Sequence, residues 1–203
     1  MLEVKQICKS YRGNSILSDV NFCLPKGQCL GIVGSNGSGK STLLRILAQI
    51  ERPDSGDVRC GGKSILGDRH FMRTRTGYVP QDNELAPDLT VAQQLKLWQS
   101  ACGMRGAIPG EITELLGLAE LMPKRTQDLS GGMQRRVSIA MALLNSPDIL
   151  FMDEATTGLD RAYCPQLLDW LEDFLKRGGR ILWCSHVSSE LDRLCGSCLH
   201  FDV

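Results

Sequence analysis

Three stretches of the sequence predict an α/β fold with a mixed or parallel sheet, an N-terminal antiparallel β subdomain and an inserted helical subdomain. A buried apolar run, "CLGIV", leads through the glycine-rich "GSNGSGKS" of residues 34–41 into the helical "KSTLLRILAQI". Two further runs, "DILFMDE" and "RILWCSH", are continuously apolar, as strands covered on both faces are, and they flank the helical "PQLLDWLEDFLKRGG". Residues 2 to about 24 instead alternate short apolar stretches around the turn cluster "YRGNS", which suits antiparallel strands. Ligands of open parallel sheets bind beyond the carboxyl ends of the strands, so Gly34, Asp153, Glu154 and His186 are expected to converge on one crevice.

The elements between these stretches follow in order. "RPDSGD" ends the helix after the glycine loop with Pro53 and Gly56, and "TGYVPQD" reads as a strand running into a polar loop. "LTVAQQLKLWQSACG" and "EITELLGLAELM" read as helices separated by "MRGAIPG", which gives a helical subdomain over about residues 82–135. Met133, Val137, Ala140, Met141 and Leu144 then share one stripe, the mark of an amphipathic helix that ends before Pro147.

At 203 residues the chain fits one compact domain. Lys plus Arg and Asp plus Glu are both 23 and no basic run stands out, so nucleic acid is not expected as a partner. The longest apolar runs fall far short of a membrane span, and "MLEVKQICKSY" lacks the apolar centre of a signal peptide; a cytosolic protein with no membrane span of its own is expected. Nine cysteines at irregular spacing make a poor disulfide framework. Cys23, Cys29 and Cys184, in predicted strands, are expected to pack as small buried hydrophobes. "CGSCLH", residues 195–200, has a C-x-x-C spacing but no second ligand pair for a tetrahedral metal site, and reads as packing at a helix end.

Residues 34–41 match G-x-x-x-x-G-K-[ST] in a strand–loop–helix context, which makes the predicted core that of a P-loop NTPase. Gly34, Ser35, Asn36, Gly37, Ser38 and Gly39 would offer backbone N–H groups to phosphates, Lys40 would neutralise the β and γ oxygens, and the Ser41 hydroxyl would help hold Mg2+. Asp153, ending a buried strand, suits the metal through water, and Glu154 suits orientation or deprotonation of the attacking water. Adjacent strand residues point to opposite faces, so these acids serve one site only if the backbone changes direction between them. A second anion cradle stands at "DLSGGMQRR", where Ser130, Gly131 and Gly132 precede a helix whose first N–H groups lack partners.

With these motifs in this order, nearly the whole chain resembles the nucleotide-binding subunit of an ATP-binding cassette (ABC) transporter. Tyr11 resembles the aromatic residue that stacks on adenine, Gln81 the glutamine of the Q-loop, "LSGGMQ" the family signature, "TGLD" to Asp160 the D-loop, and His186 the switch histidine. The resemblance implies ATP and Mg2+ as cofactors. It adds Thr42 to the phosphate loop, groups Ser41, Gln81 and Asp153 about the metal, and makes Lys40, Gln81, Glu154 and His186 the catalytic set. It implies two partners: a second cassette, identical or not, whose ATP is covered by Ser130, Gly131 and Gly132 in a head-to-tail pair, and an integral membrane permease docked on the helical subdomain. The expected place is then the cytoplasm, at the inner face of the membrane through the permease.

The chain also departs from the common pattern. Met133 stands where many members have Gln, and "SGGMQRR" is similar to exporters of the drug, lipid and haem type, so export is the expected direction. Ala155 replaces the usual proline after the two acids, and the chain stops soon after His186, where many relatives carry further strands or a regulatory domain. The leading expectation is an Mg-ATPase that drives transport. The alternatives are a soluble cassette ATPase, as in iron–sulfur assembly or DNA metabolism, and a nucleotide-gated adaptor, against which Glu154 and His186 both count.

Overall fold

In the computed structural model, residues 1–104 and 106–201 are described. The N-terminal hairpin of β1 (Leu2–Tyr11) and β2 (Asn14–Leu24) turns through Arg12 and Gly13, both at positive φ. β3 (Cys29–Gly34) feeds the glycine loop and α1 (Lys40–Leu47). β4 (Ser55–Cys60) and β5 (Lys63–Ser64) return to β1, so the first sheet is antiparallel with order β2-β1-β4-β5. Neither β5 nor the following α2 (Arg69–Arg75) buries a residue of its own, which is why no apolar period marks them in the sequence.

β6 (Thr76–Val79) begins the second sheet, and three helices follow it: α3 (Val91–Ala101), α4 (Gly110–Leu115) and α5 (Gly131–Leu143). The chain then alternates strand and helix as β7 (Ile149–Asp153), α6 (Cys164–Lys176), β8 (Arg180–Cys184), α7 (Ser188–Leu194) and β9 (Ser197–Phe201). The second sheet is wholly parallel, in the order β6-β7-β8-β3-β9. Its central strands are buried on both faces. Leu150, Met152, Ile181 and Trp183 pack with the helical side, while Ile149, Phe151, Leu182 and Cys184 pack toward α1 and the antiparallel sheet. The period of two therefore survives inside runs that look uniformly apolar, and it fixes the register that aims the strand ends.

Several expectations need correction. The helix expected over "EITELLGLAELM" stops at Leu115, because Gly117 takes a positive φ of 53° and the chain continues in turns. α5 is not half-exposed: every residue from Arg135 to Leu143 is buried, and a helix enclosed on all sides needs no polar face. Cys23 is exposed, whereas Cys29 and Cys184 are buried as expected. The C-x-x-C pair is split between two elements. Cys195 caps α7 and lies 2.7 Å, sulfur to sulfur, from Cys29, while Cys198 is exposed on β9. Among the described residues no three or more His, Cys, Asp or Glu side chains are grouped so as to hold a metal ion. β9 itself escaped the sequence reading because its residues are exposed or only partly buried, as suits an edge strand.

Candidate functional site

The phosphate loop is built by close approach. Gly39, the N-cap of α1, sits at φ 100°, and a Cβ there would come within 2.9 Å of the Leu17 side chain and 3.0 Å of the Ile16 carbonyl. Glycine is the residue that tolerates both conditions. Lys40 is 6% exposed and folds back over the loop, its Nζ donating to the carbonyls of Gly34 at 2.8 Å and Ser35 at 2.7 Å. An ammonium parked on carbonyls is held where phosphate oxygens would compete for it. Tyr11, at the end of β1, is 39% exposed, and its phenol donates to the Glu51 carboxylate.

Of the four residues expected in one crevice, Glu154 and His186 line a common cavity, and Gly34 and Asp153 do not. Lys40, Ser41 and Thr42 from α1, Gln81 after β6, Glu154 after β7 and His186 after β8 line one cavity of about 410 Å3. The change of direction that the two acids need is present: Glu154 has φ 50°, and its N–H donates to the Cys184 carbonyl at 2.8 Å. A non-glycine residue in the left-handed region costs on the order of 1–3 kcal/mol, a strain that marks functional turns. The turn swings the Glu154 carboxylate to His186, whose Nε2 lies 2.9 Å from Oε1; the Thr157 hydroxyl approaches Oε2 at 3.3 Å.

Asp153 is 2% exposed, and its Oδ1 has no hydrogen-bond partner. Burial pushes its carboxyl above the usual range, while the Ser41 hydroxyl and the Cys184 thiol beside it pull the other way. A buried carboxylate oxygen without a donor, next to the hydroxyl of Ser41, which itself lines the cavity, fits a hard divalent cation such as Mg2+.

The second cradle lies elsewhere. Ser130 caps α5, accepting from the Met133 N–H at 3.3 Å, and Ser130 and Gly131 are exposed. None of Ser130, Gly131 and Gly132 lines the phosphate-loop cavity. Asp160 folds against Gly132, where a Cβ would collide with its carboxylate, and pairs with Arg136 at 3.6 Å. Asp160 is therefore joined, within one chain, to the helix that Ser130 caps.

Two groups behind the site were missed in the sequence. Arg135, 1% exposed, bonds the carbonyls of both loops that carry Gln81 and Glu154. Glu190, 8% exposed, accepts from Thr156 at 2.9 Å and Ser185 at 2.8 Å, bracing the residues that follow Glu154 and precede His186. The available signal for Arg135 was an arginine pair, Arg135 and Arg136, leading into the apolar run of a buried helix. Glu190 had none, since its partners are distant in sequence.

Comparison with known proteins agrees with this geometry. The family model described as ABC transporter matches residues 17–157. Nod factor export ATP-binding protein I of Paraburkholderia xenovorans is 39% identical over 198 residues, covering 96% of this chain and 65% of that protein. The same-named proteins of Ralstonia nicotianae and Cupriavidus pinatubonensis are covered over 62% and 61% of their lengths, so the chain spans less than two thirds of these relatives. A solved structure of an ATP-binding subunit of an ABC transporter superposes with a TM-score of 0.89 at 26% identity, covering 100% of this chain and 88% of that one. The cassette MJ0796, solved as a dimer in a post-hydrolysis state bound to ADP and Pi, gives 0.86 at 26% identity, covering 100% and 96%. A phosphate loop, a carboxylate and a histidine in one cavity, with the Ser130 cradle outside it and a family match across most of the chain, lead to one conclusion: this chain belongs to the ABC transporter family.

Proposed function

We propose that the chain binds and hydrolyses Mg-ATP as the energy-coupling subunit of an exporter, working as a head-to-tail pair of cassettes on a separate membrane permease. One observation carries the reading: Lys40, Ser41, Gln81, Glu154 and His186 share a cavity from which the Ser130 cradle is absent. A cradle that its own phosphate loop cannot use is suited to the γ-phosphate held by a second copy. The dimeric MJ0796 cassette bound to ADP and Pi supports pairing and turnover, and relatives named for export support the direction.

In this mechanism Lys40 leaves the carbonyls of Gly34 and Ser35 for the phosphate oxygens. Ser41 and Asp153, with Gln81 at the cavity wall, would hold Mg2+, which would supply positive charge to neutralise the phosphates. Glu154 orients the attacking water and accepts its proton at the carboxylate, while His186, held to Oε1 at 2.9 Å, fixes that carboxylate and is placed to contact the γ-phosphate. The Ser130 hydroxyl and the first N–H groups of α5 complete the neighbour's site.

The permease fits a second feature. A groove of about 320 Å3 is lined by Ile50, Met72, Tyr78, Pro80, Trp98 and Met141, with Ile50 60% and Trp98 41% exposed. Pro80 lines the groove and Gln81 the nucleotide cavity, so neighbouring residues join the two places. A short helix from the cytoplasmic side of a membrane protein is the occupant we assign to this groove between α2, α3 and α5, and with it the chain would lie at the inner face of the membrane. Purification from membranes tests the assignment. A polytopic protein should co-purify with the chain and be lost from the Trp98→Asp variant, checked for folding by circular dichroism. Recovery of an iron–sulfur scaffold in its place would sink the transport reading.

A further inference from the structure

We infer that Arg135 is a positioning residue that ties the start of the signature helix to both Gln81 and Glu154, so that seating of Ser130 on a neighbour's ATP sets the geometry of this chain's own hydrolytic site. The inference rests on the ATPase reading above. Arg135 lies in the second turn of α5, whose N-cap is Ser130. Its guanidinium donates in two directions. Nη1 reaches the carbonyls of Pro80 at 2.5 Å and Gln81 at 3.2 Å, and Oδ1 of Asn83 at 3.4 Å. Nη2 reaches the carbonyls of Asp153 at 3.0 Å and Glu154 at 2.7 Å, and Nε that of Ala155 at 2.9 Å.

Every one of these acceptors belongs either to the loop after β6 or to the turn after β7. Two rows of carbonyl dipoles facing each other repel, and a planar fork of donors between them turns that repulsion into a clasp. A lysine in the same place has no plane and fewer donors, so it cannot serve both rows. The clasp also grips the carbonyls of the strained residue and its two neighbours: Glu154 at φ 50° persists only where its surroundings over-determine it. α5 is buried from Arg135 to Leu143, so it moves as a packed unit, and a shift of its exposed first turn carries Arg135 with it. The same side chain thus links the signature to the loop that touches the permease groove and to the carboxylate that activates water.

The test compares Arg135→Met and Arg135→Lys with the unaltered chain. Hydrogen exchange should rise together at residues 81–85 and 153–157 in Arg135→Met, while α1 keeps its protection. In steady-state kinetics kcat should fall about 10–100-fold, the scale of a misplaced catalytic group, with KM and direct ATP binding near the starting values. Arg135→Lys should restore folding stability but little of the kcat, and it carries the same test if the methionine variant does not fold. Unchanged exchange in either loop, retained kcat, or a loss carried by KM would each overturn the proposal. An unaltered chain that hydrolyses no ATP would sink the ATPase reading instead, and the exchange data would still decide whether Arg135 joins the loops.

Discussion

Glu154→Gln should abolish turnover while leaving ATP bound, lowering hydrolysis at least ~100-fold, the span of one general base. Glutamine keeps the shape of the side chain, and its amide oxygen can take the place of Oε1, which lies 2.9 Å from His186 Nε2. The backbone at φ 50° treats the two residues alike. What disappears is the charge that takes a proton from water. ATP then stays intact in the cavity, and two chains closed over it should accumulate as a dimer on size-exclusion chromatography with Mg-ATP. Lys40→Ala should fail at the earlier step, because a lost charge-assisted contact of roughly 1.5–3 kcal/mol weakens ATP binding by about 10–150-fold. Hydrolysis by Glu154→Gln at the rate of the unaltered chain would remove Glu154 as the catalytic carboxylate.

The parts of this site legible in the sequence are those whose chemistry is local. Gly39, Lys40 and Ser41 act within one turn, so their spacing alone states the loop. Asp153 and Glu154 announced a contradiction, two adjacent acids on opposite faces of a strand, and the positive φ of Glu154 resolves it. β3, β7 and β8 were legible because central strands must be apolar throughout. What stayed hidden depends on partners far along the chain. Arg135 gains its meaning from carbonyls 18 to 55 residues away, and a carbonyl has no residue type to read. β9 is held by pairing with β3 rather than by its own apolar pattern, and the early end of α4 turned on a glycine the reading had passed through as helix. Backbone acceptors, edge strands and helix stops are fixed by tertiary context, where single-sequence periodicity carries least information.

Mixing two inactive variants should restore activity, and this result bears on the second cradle. A Lys40→Ala chain loses its own phosphate loop but still presents an intact Ser130, exposed at the start of α5 and outside the cavity. A Ser130→Glu chain keeps Lys40 but places a carboxylate where the γ-phosphate of a neighbour would sit, and like charges at that distance repel. In a mixed dimer the site with intact Lys40 meets the intact Ser130, and the other site carries both lesions. One working site per mixed dimer should recover part of the ATPase activity from chains that are each silent alone. Placing both changes in one chain and pairing it with an unaltered chain reverses the arithmetic: each site then holds one lesion, and the mixed dimer should be inactive. The contrast between these two mixtures separates shared sites from any effect of dimerisation on folding or stability, since both contain the same substitutions in the same number. If the single variants exchange subunits, as a labelled-chain assay can establish, and the first mixture stays silent, then the Ser130 cradle does not complete the site of a second copy of this chain. What would remain is catalysis within one chain, strict dependence on two working sites, or a different cassette as the natural partner.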